Sequence, residues 1–231
     1  MKTPLAAAAV AVLVLLAGCG GGGDGSSVEA GFVPTAQAYM PLTAGNWWQY
    51  EYRMPTVATA QSDRIPDRST RRVLGSHTIN NQQWFEIEVV DWSSEDGIDD
   101  PIGRNVIWMR ETIQGVYLYD EVNKTALPWI KKTAQVGDTW TPDVDLDIVW
   151  ELRSKTDTVQ TAAGKFSGCL VVAERDVFGM GSETIEEVWE RWFKRGIGMV
   201  MDRYWSDVPE VQQYGDLKPW DEAALMAYQV K

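Results

Sequence analysis

The sequence has few of the residues that most often carry catalytic chemistry or bind structural zinc. Its 231 residues include one histidine, His77, and two cysteines, Cys19 and Cys169. Structural zinc sites use three or four Cys or His ligands, so these residues are too few for such a site. A catalytic triad needs a base beside a nucleophile, and no serine or thiol nucleophile pattern accompanies His77. We therefore expect a domain that is not an enzyme and binds no cofactor.

Basic residues are scarce relative to acidic ones. The chain has 21 Lys and Arg against 33 Asp and Glu, which gives a formal net charge of -12. An acidic surface without a basic patch repels the phosphates of nucleic acids. From this composition we expect no nucleic-acid partner.

The chain also lacks an apolar run long enough to cross a bilayer. The longest run, Leu5–Gly18, has 14 residues, whereas a transmembrane helix needs roughly 17 to 25. This run follows Lys2 and ends in small residues, the pattern of an n-region, an h-region and a cleavage site. It predicts a signal peptide over residues 1–18. An ordinary secretory signal is the alternative to the more specific signal described next.

The sequence Leu-Ala-Gly-Cys at residues 16–19 resembles the lipobox of bacterial lipoproteins. The resemblance implies cleavage before Cys19 and attachment of a diacylglycerol and a further acyl chain, such as palmitate, to that residue. Each buried methylene contributes about 0.8 kcal/mol, so several chains form a durable membrane anchor. Gly20 stands where an aspartate would favour the inner membrane of proteobacteria. The resemblance thus implies an outer-membrane lipoprotein that faces the periplasm.

The mature chain divides into a tether and one domain. Residues 20–27 read Gly-Gly-Gly-Gly-Asp-Gly-Ser-Ser, a composition that behaves as a flexible coil. We assign residues 19–35 to the lipidated cysteine with its tether and residues 36–231 to a single domain. Once Cys19 is acylated, Cys169 is the only remaining thiol, so packing and not an intramolecular disulfide must stabilise the domain.

From Trp47 onward, apolar and polar residues alternate in short runs that turn residues interrupt every eight to twelve positions. This pattern predicts an all-β domain of about ten or eleven antiparallel strands, arranged as a curved sheet or a β-barrel-like structure with few short helices. Only residues 185–192 and 222–228 compete as helices. In the first predicted strand, from Trp47, alternation places Trp48, Tyr50 and Tyr52 on one face and polar residues on the other. The further ranges predicted as strands or hairpins are 70–91, 105–111, 116–121, 147–155, 158–162, 167–175, 188–195, 199–205 and 224–230.

Tryptophan is abundant, with twelve in the chain. Core packing accounts for most of them, but ligand pockets are also lined mainly by apolar and aromatic side chains. We hypothesise that some of these residues line a concavity of the sheet for an apolar or amphiphilic ligand. The residues proposed for this role are Trp48, Trp84, Trp108, Trp150 and Trp192.

Acidic residues offer a second, weaker hypothesis. Asp143, Asp145 and Asp147 alternate, so on a strand their carboxylates would project from one face. Such a set suits a hard cation such as calcium, and solvated charge on a loop is the alternative. Paired carboxylates also serve glycoside hydrolases, but the sequence singles out no pair. A hydrolase is therefore the least favoured function.

Four segments resemble a broad group of uncharacterised bacterial lipoproteins with single antiparallel β-domains. They are residues 39–50, with Pro-Leu and Gly-Asn-Trp-Trp, residues 136–140, residues 163–169, with Ala-Gly-Lys-Phe-Ser-Gly-Cys, and residues 192–198. The resemblance implies a fold and a location but no active-site residue. Together with the tryptophans, it favours a membrane-tethered, non-enzymatic binding module. The alternative is an accessory subunit that contacts another protein of the cell envelope.

Overall fold

The computed structural model describes residues 33–53, 67–93, 100–142, 148–180, 183–206 and 221–231. In this part of the chain, twelve strands form one antiparallel sheet, which confirms the predicted all-β class. A 3₁₀ turn at Thr35–Gln37 is the one helical element of these ranges. The strands are β1 (Trp47–Arg53), β2 (Arg68–Ile79), β3 (Gln82–Ser93), β4 (Asp100–Glu111), β5 (Gly115–Asp120), β6 (Thr125–Lys131), β7 (Thr139–Trp140), β8 (Val149–Thr161), β9 (Gly164–Met180), β10 (Glu183–Lys194), β11 (Gly198–Ser206) and β12 (Asp221–Gln229).

The chain builds this sheet as two meanders that join at the first and last strands. The strand order is β6-β5-β4-β3-β2-β1-β12-β11-β10-β9-β8-β7. Strand β1 pairs with both β2 and β12, so the two terminal strands lie in the middle of the sheet. Strands β6 and β7 form its edges. Because no ladder joins these edges in the described ranges, the sheet is open and not a closed barrel.

The seven residues between β6 and β7 require the sheet to curl. Twelve strands spaced about 4.8 Å apart would make a flat sheet more than about 50 Å wide. Seven extended residues span at most about 25 Å. The edges do meet, because the Trp140 indole in β7 donates a hydrogen bond of 2.7 Å to the Pro128 carbonyl in β6.

One face of the sheet is the concave face of this curl. Trp129 in edge strand β6 packs edge-on against Phe193 in β10, with ring centroids 5.0 Å apart. The Arg191 guanidinium in β10 lies 5.8 Å from the Trp129 ring centroid. Through the strand register, Arg191 shares its face with Tyr52 in β1. The face that carries Tyr52 is therefore concave, and we call the other face convex.

Most predicted strands are confirmed. The hairpin of β2 and β3 is the clearest case, because its turn residues explain why the chain reverses there. Asn80 and Asn81, between β2 and β3, have φ values of 52° and 58°, as a two-residue hairpin turn of type I′ requires. Residues 185–192 and 222–228, the two alternative helices, lie in β10 and β12.

Three strands, β6, β7 and β8, differ from the prediction, which contained no strand at the position of the two-residue β7. Strand β8 runs unbroken through residues 156–157, where the prediction placed a break, because its ladder with β9 absorbs irregularities near Ser154 and Asp157. Strand β6 was not predicted, since Thr125–Lys131 contains Pro128 and does not alternate. A proline is tolerated on an edge strand, which is the position of β6 in the sheet.

A buried ion pair fixes the segment that precedes β1. The Glu111 carboxylate at the end of β4 accepts hydrogen bonds from the backbone N–H groups of Tyr39 (2.8 Å) and Met40 (2.7 Å). Lys132 Nζ lies 2.6 Å from this carboxylate, which is only 4% exposed. Burial raises the pKa of Glu111, and Lys132 and the two N–H donors oppose that rise. The carboxylate is thus fully partnered where it holds the N-terminal segment.

The opening and closing sequence motifs pack against each other. Trp48 is fully buried, and its indole donates to the Ile197 carbonyl. Gly198 has a φ of 113°, and a Cβ there would lie 2.9 Å from Trp48 Nε1. The Gly196 N–H donates to the Ala38 carbonyl at 2.7 Å. The β10–β11 turn therefore needs glycine to accommodate Trp48 and the N-terminal segment.

Replacing Gly198 with alanine should destabilise the domain by at least about 2 kcal/mol, because it adds both backbone strain and a steric clash with Trp48. Gly75→Ala is the matched control, since a Cβ at Gly75 would meet no atom within 4 Å. That variant should lie within about 0.5 kcal/mol of wild type. Urea unfolding of both variants measures the difference, and equal stabilities would contradict the packing described here.

Lys132→Met should cost about 3 kcal/mol at neutral pH, because it leaves a buried carboxylate without its cation. Without Lys132, the pKa of Glu111 should rise further. The loss of unfolding free energy in Lys132→Met should therefore be small below the ordinary glutamate pKa, where Glu111 is protonated in both the folded and the unfolded protein. It should grow as the pH rises through the raised pKa of folded Glu111. Unfolding curves from pH 4 to 8 test this, with Lys194→Met as control. A penalty independent of pH would contradict it.

Candidate functional site

The five tryptophans of the sequence hypothesis occupy separate places in the sheet. Trp48 lies in the core beside Gly198. Trp84 and Trp108 lie on the convex face, where Trp84 pairs with His77 and Trp108 pairs with Glu86. The structure therefore does not bring these three residues to one concavity.

The remaining two are also apart. Trp150 is buried near the β7 edge, with its ring centroid 6.3 Å from that of Trp140. Trp192 is buried on the convex face, where its indole donates to the Asp157 carboxylate and Arg203 lies 5.2 Å from its ring centroid. None of the five lines the cavity described next.

A cavity of about 210 Å³ opens on the concave face. Strand pairing places Tyr52 of β1, Ala223 of β12 and Asp202 of β11 in one row across the sheet. Trp189 and Tyr204 form the neighbouring pair of β10 and β11. Their ring centroids lie 4.7 Å apart at an interplanar angle of 31°, so they form one aromatic wall. These five residues line the cavity.

An arginine between two carboxylates lies beside the cavity. Arg191 donates from Nη1 to Glu174, and its Nε lies 3.4 Å from Asp202 Oδ2. Burial acts to lower the pKa of Arg191, but Asp202 and Glu174 outweigh burial and raise it. The other Asp202 oxygen, Oδ1, is buried and accepts no hydrogen bond. One carboxylate oxygen at the cavity therefore has unused acceptor capacity.

Carboxylates outnumber guanidinium groups around the cavity. Burial raises the pKa of the Tyr52 hydroxyl; nearby Arg71 opposes this, while Asp91 and Asp202 add to it. Tyr52 therefore stays protonated at physiological pH. The Tyr204 hydroxyl donates to Glu187 at 2.6 Å. Four carboxylates, of Asp91, Glu174, Glu187 and Asp202, thus face two guanidinium groups, of Arg71 and Arg191.

The two residues with reactive side chains lie away from this cavity. His77 is on the convex face, 3.1 Å from Glu86 and in edge contact with Trp108. Cys169 is buried, and its thiol lies 3.4 Å from the Phe166 carbonyl. Burial raises the pKa of this thiol to about 11; Lys194 opposes the rise and Asp157 adds to it. A thiol with this pKa stays protonated and unreactive at neutral pH.

Two sequence hypotheses fall on residues outside the described ranges. These are the possible calcium ligands Asp143, Asp145 and Asp147, and the lipidated Cys19 with its signal peptide. Within the described ranges, no three His, Cys, Asp or Glu side chains are placed to hold a metal ion. The same part of the chain has no helix long and apolar enough to cross a membrane.

Sequence reasoning missed the residues that line the cavity. Trp189 was counted among the tryptophans, and residues 188–195 and 199–205 were predicted as strands, but nothing in the pattern assigned their faces. The available signal was the two-residue spacing of Trp189 and Arg191, which places an aromatic ring and a cation on the same face of a strand. Knowing that this face is concave requires the order of the strands.

Comparison with known proteins gives fold neighbours. No protein-family model matches the chain, and no curated protein matches it. A crystal structure of a candidate lipoprotein from Parabacteroides distasonis aligns with a TM-score of 0.54 and 13% identity, covering 83% of this chain and 98% of that one. A candidate exported protein with a YmcC-like fold from Bacteroides fragilis aligns with a TM-score of 0.54 and 12% identity, covering 82% and 98%. At these identities the likeness shows a shared fold.

Proposed function

We propose that this chain is an exported lipoprotein of the cell envelope whose β-domain is a non-enzymatic binding module. The apolar run that ends at Cys19 and the Gly/Ser-rich tether after it support export and lipid attachment. Two proteins of the same fold are described as a candidate lipoprotein and a candidate exported protein, which fits this location. In a bacterium with two membranes, Gly20 after Cys19 favours the outer membrane and a domain in the periplasm.

The cavity on the concave face is the observation that carries the binding role. Three aromatic side chains and one carboxylate converge on it, the mixture typical of small-ligand sites, which combine apolar walls with a few placed polar groups. The walls are Tyr52, Trp189 and Tyr204, and the polar group is Asp202. The arrangement favours an amphiphilic ligand over a wholly apolar one, because an apolar ligand would leave Asp202 Oδ1 without a partner.

The geometry also supports a role without catalysis. His77 and Cys169 are the side chains most often used as base and nucleophile, and both lie away from the cavity in contacts that stabilise the fold. In the cavity, Asp202 forms an ion pair with Arg191. The site is suited to hold a ligand by stacking and hydrogen bonding.

Lipid attachment is tested by expressing the full chain in a diderm bacterium with labelled palmitate. We expect label in the wild-type protein and none in Cys19→Ser, because the thiol is the acceptor of the acyl chain. Separation of inner and outer membranes on a density gradient then gives the location. Label that persists in Cys19→Ser would exclude this residue as the anchor.

Ligand binding is tested by native mass spectrometry of the processed full chain in a neutral maltoside detergent. We expect a discrete added mass that leaves on denaturation. Ala223→Leu should abolish it, since the larger side chain fills the cavity. Ala126→Leu, on the convex face of β6, is the matched control and should retain it. If wild type carries no added mass and takes up none from a bacterial lipid and metabolite extract, the binding role fails.

A further inference from the structure

Many aromatic rings of this sheet are covered by a cation of the protein, and two rings that line the cavity are not. In the described ranges, a cationic side chain lies over eight aromatic rings; Arg71, for example, lies 4.9 Å from the Tyr50 ring centroid and Arg203 lies 5.2 Å from that of Trp192. In the described ranges, no Arg or Lys lies over Tyr52 or Trp189. Both residues line the cavity, so it offers aromatic surface that the domain's own cations leave uncovered.

The charges at the cavity select against anions. Of the two guanidinium groups near the cavity, that of Arg191 is already engaged by Glu174 and Asp202, and that of Arg71 lies over the Tyr50 ring. Asp202 Oδ1 is buried without a hydrogen-bond donor, and the Glu174 and Glu187 carboxylates bind the neighbouring Arg191 and Tyr204 side chains. The chain as a whole carries a net charge of -12, and such a field raises the local concentration of cations and repels anions. A carboxylate or phosphate group would be disfavoured here.

The size of the cavity limits the ligand to a small group. A volume of about 210 Å³ corresponds to roughly seven water molecules at about 30 Å³ each. Ala223 keeps its floor open between Tyr52 and Asp202, because alanine adds only a methyl group there. The space suits a compact head group of several non-hydrogen atoms, with any longer chain directed out of the opening.

We propose that this cavity binds an organic cation, an alkylated ammonium group held against Tyr52, Trp189 and Tyr204 and paired with Asp202. The inference rests on the proposed binding function and names the chemical class of its ligand. Aromatic rings attract a desolvated ammonium through their negative faces, the mode by which quaternary ammonium ligands are recognised. The Asp202 carboxylate adds an opposite charge at a point where it has unused acceptor capacity.

The test compares three probes of nearly the same shape on the processed full chain in maltoside detergent. They are choline, its neutral isostere 3,3-dimethyl-1-butanol, and the anion 3,3-dimethylbutanoate. We expect calorimetry to show saturable binding of choline, with the neutral isostere at least fivefold weaker and the anion weaker still. Trp189→Leu and Asp202→Asn should each weaken choline at least fivefold, and Trp189→Phe should restore most of the affinity.

Controls on the convex face separate site binding from general attraction to an acidic protein. Trp108→Leu and Glu88→Gln remove one tryptophan and one carboxylate outside the cavity and should leave choline affinity within twofold of wild type. Equal affinity for choline and its neutral isostere would overturn the cation proposal and leave the binding function standing. If the protein retains a co-purified ligand but does not bind choline, the cation proposal is likewise overturned and the binding function stands. Loss of choline binding in the convex-face controls alone would also overturn it.

Discussion

The short connection between the two edge strands is the constraint on which the rest of this structure depends. Seven residues join β6 to β7, although ten strands lie between them in the sheet. A flat sheet is therefore impossible, and the curl brings Trp129 of β6 against Phe193 of β10. The curl creates a concave face without closing a barrel. The Trp140 indole and the Pro128 carbonyl meet across the edges in place of a backbone ladder.

The concave face holds two buried carboxylates, Glu111 and Asp202, which differ in how many of their oxygen atoms have hydrogen-bond or ion-pair partners. Glu111 accepts from two backbone N–H groups and from Lys132, so its acceptor capacity is used in holding the N-terminal segment. Asp202 pairs with Arg191 through one oxygen and leaves the other without a donor. Burying a charge is costly unless it is fully partnered. Asp202 Oδ1 is one of several buried polar atoms without a hydrogen-bond partner in the described ranges, and it belongs to a residue that lines the cavity.

The sequence predicted strands well wherever local chemistry determines them. Asn80-Asn81 specifies a hairpin turn by its tolerance of positive φ, and alternation places Trp48, Tyr50 and Tyr52 on one face. Strand β6 was missed, because the edge position that tolerates Pro128 depends on the order of strands across the sheet. The same limit applies to the site. Alternation tells that Trp189 and Arg191 share a face, but only the curl between distant strands makes that face concave.

The positions of the tryptophans show why composition alone does not locate the cavity. A sheet in which both faces are partly covered places tryptophans on each of them. Trp84 is thus 1% exposed on the convex face, where Arg110 and Tyr119 cover it. Burial of an indole is therefore no guide to a cavity in this fold. The distinguishing feature is an aromatic ring that lines open space and has no cation of the protein over it.

The cavity and the described N-terminal segment lie at different points along strand β1. The N-terminal segment enters beside the β10–β11 turn, where the Gly196 N–H binds the Ala38 carbonyl. The Lys231 backbone N–H donates to Asn46 Oδ1 at 3.0 Å, so the described N-terminal segment and Lys231 lie at the same end of the sheet. Tyr52 lies four residues beyond Trp48 along β1, about 13 Å at the rise of an extended strand. The described N-terminal segment, from which the proposed tether would extend, therefore joins the sheet four residues along β1 from Tyr52 and is not among the residues that line the cavity.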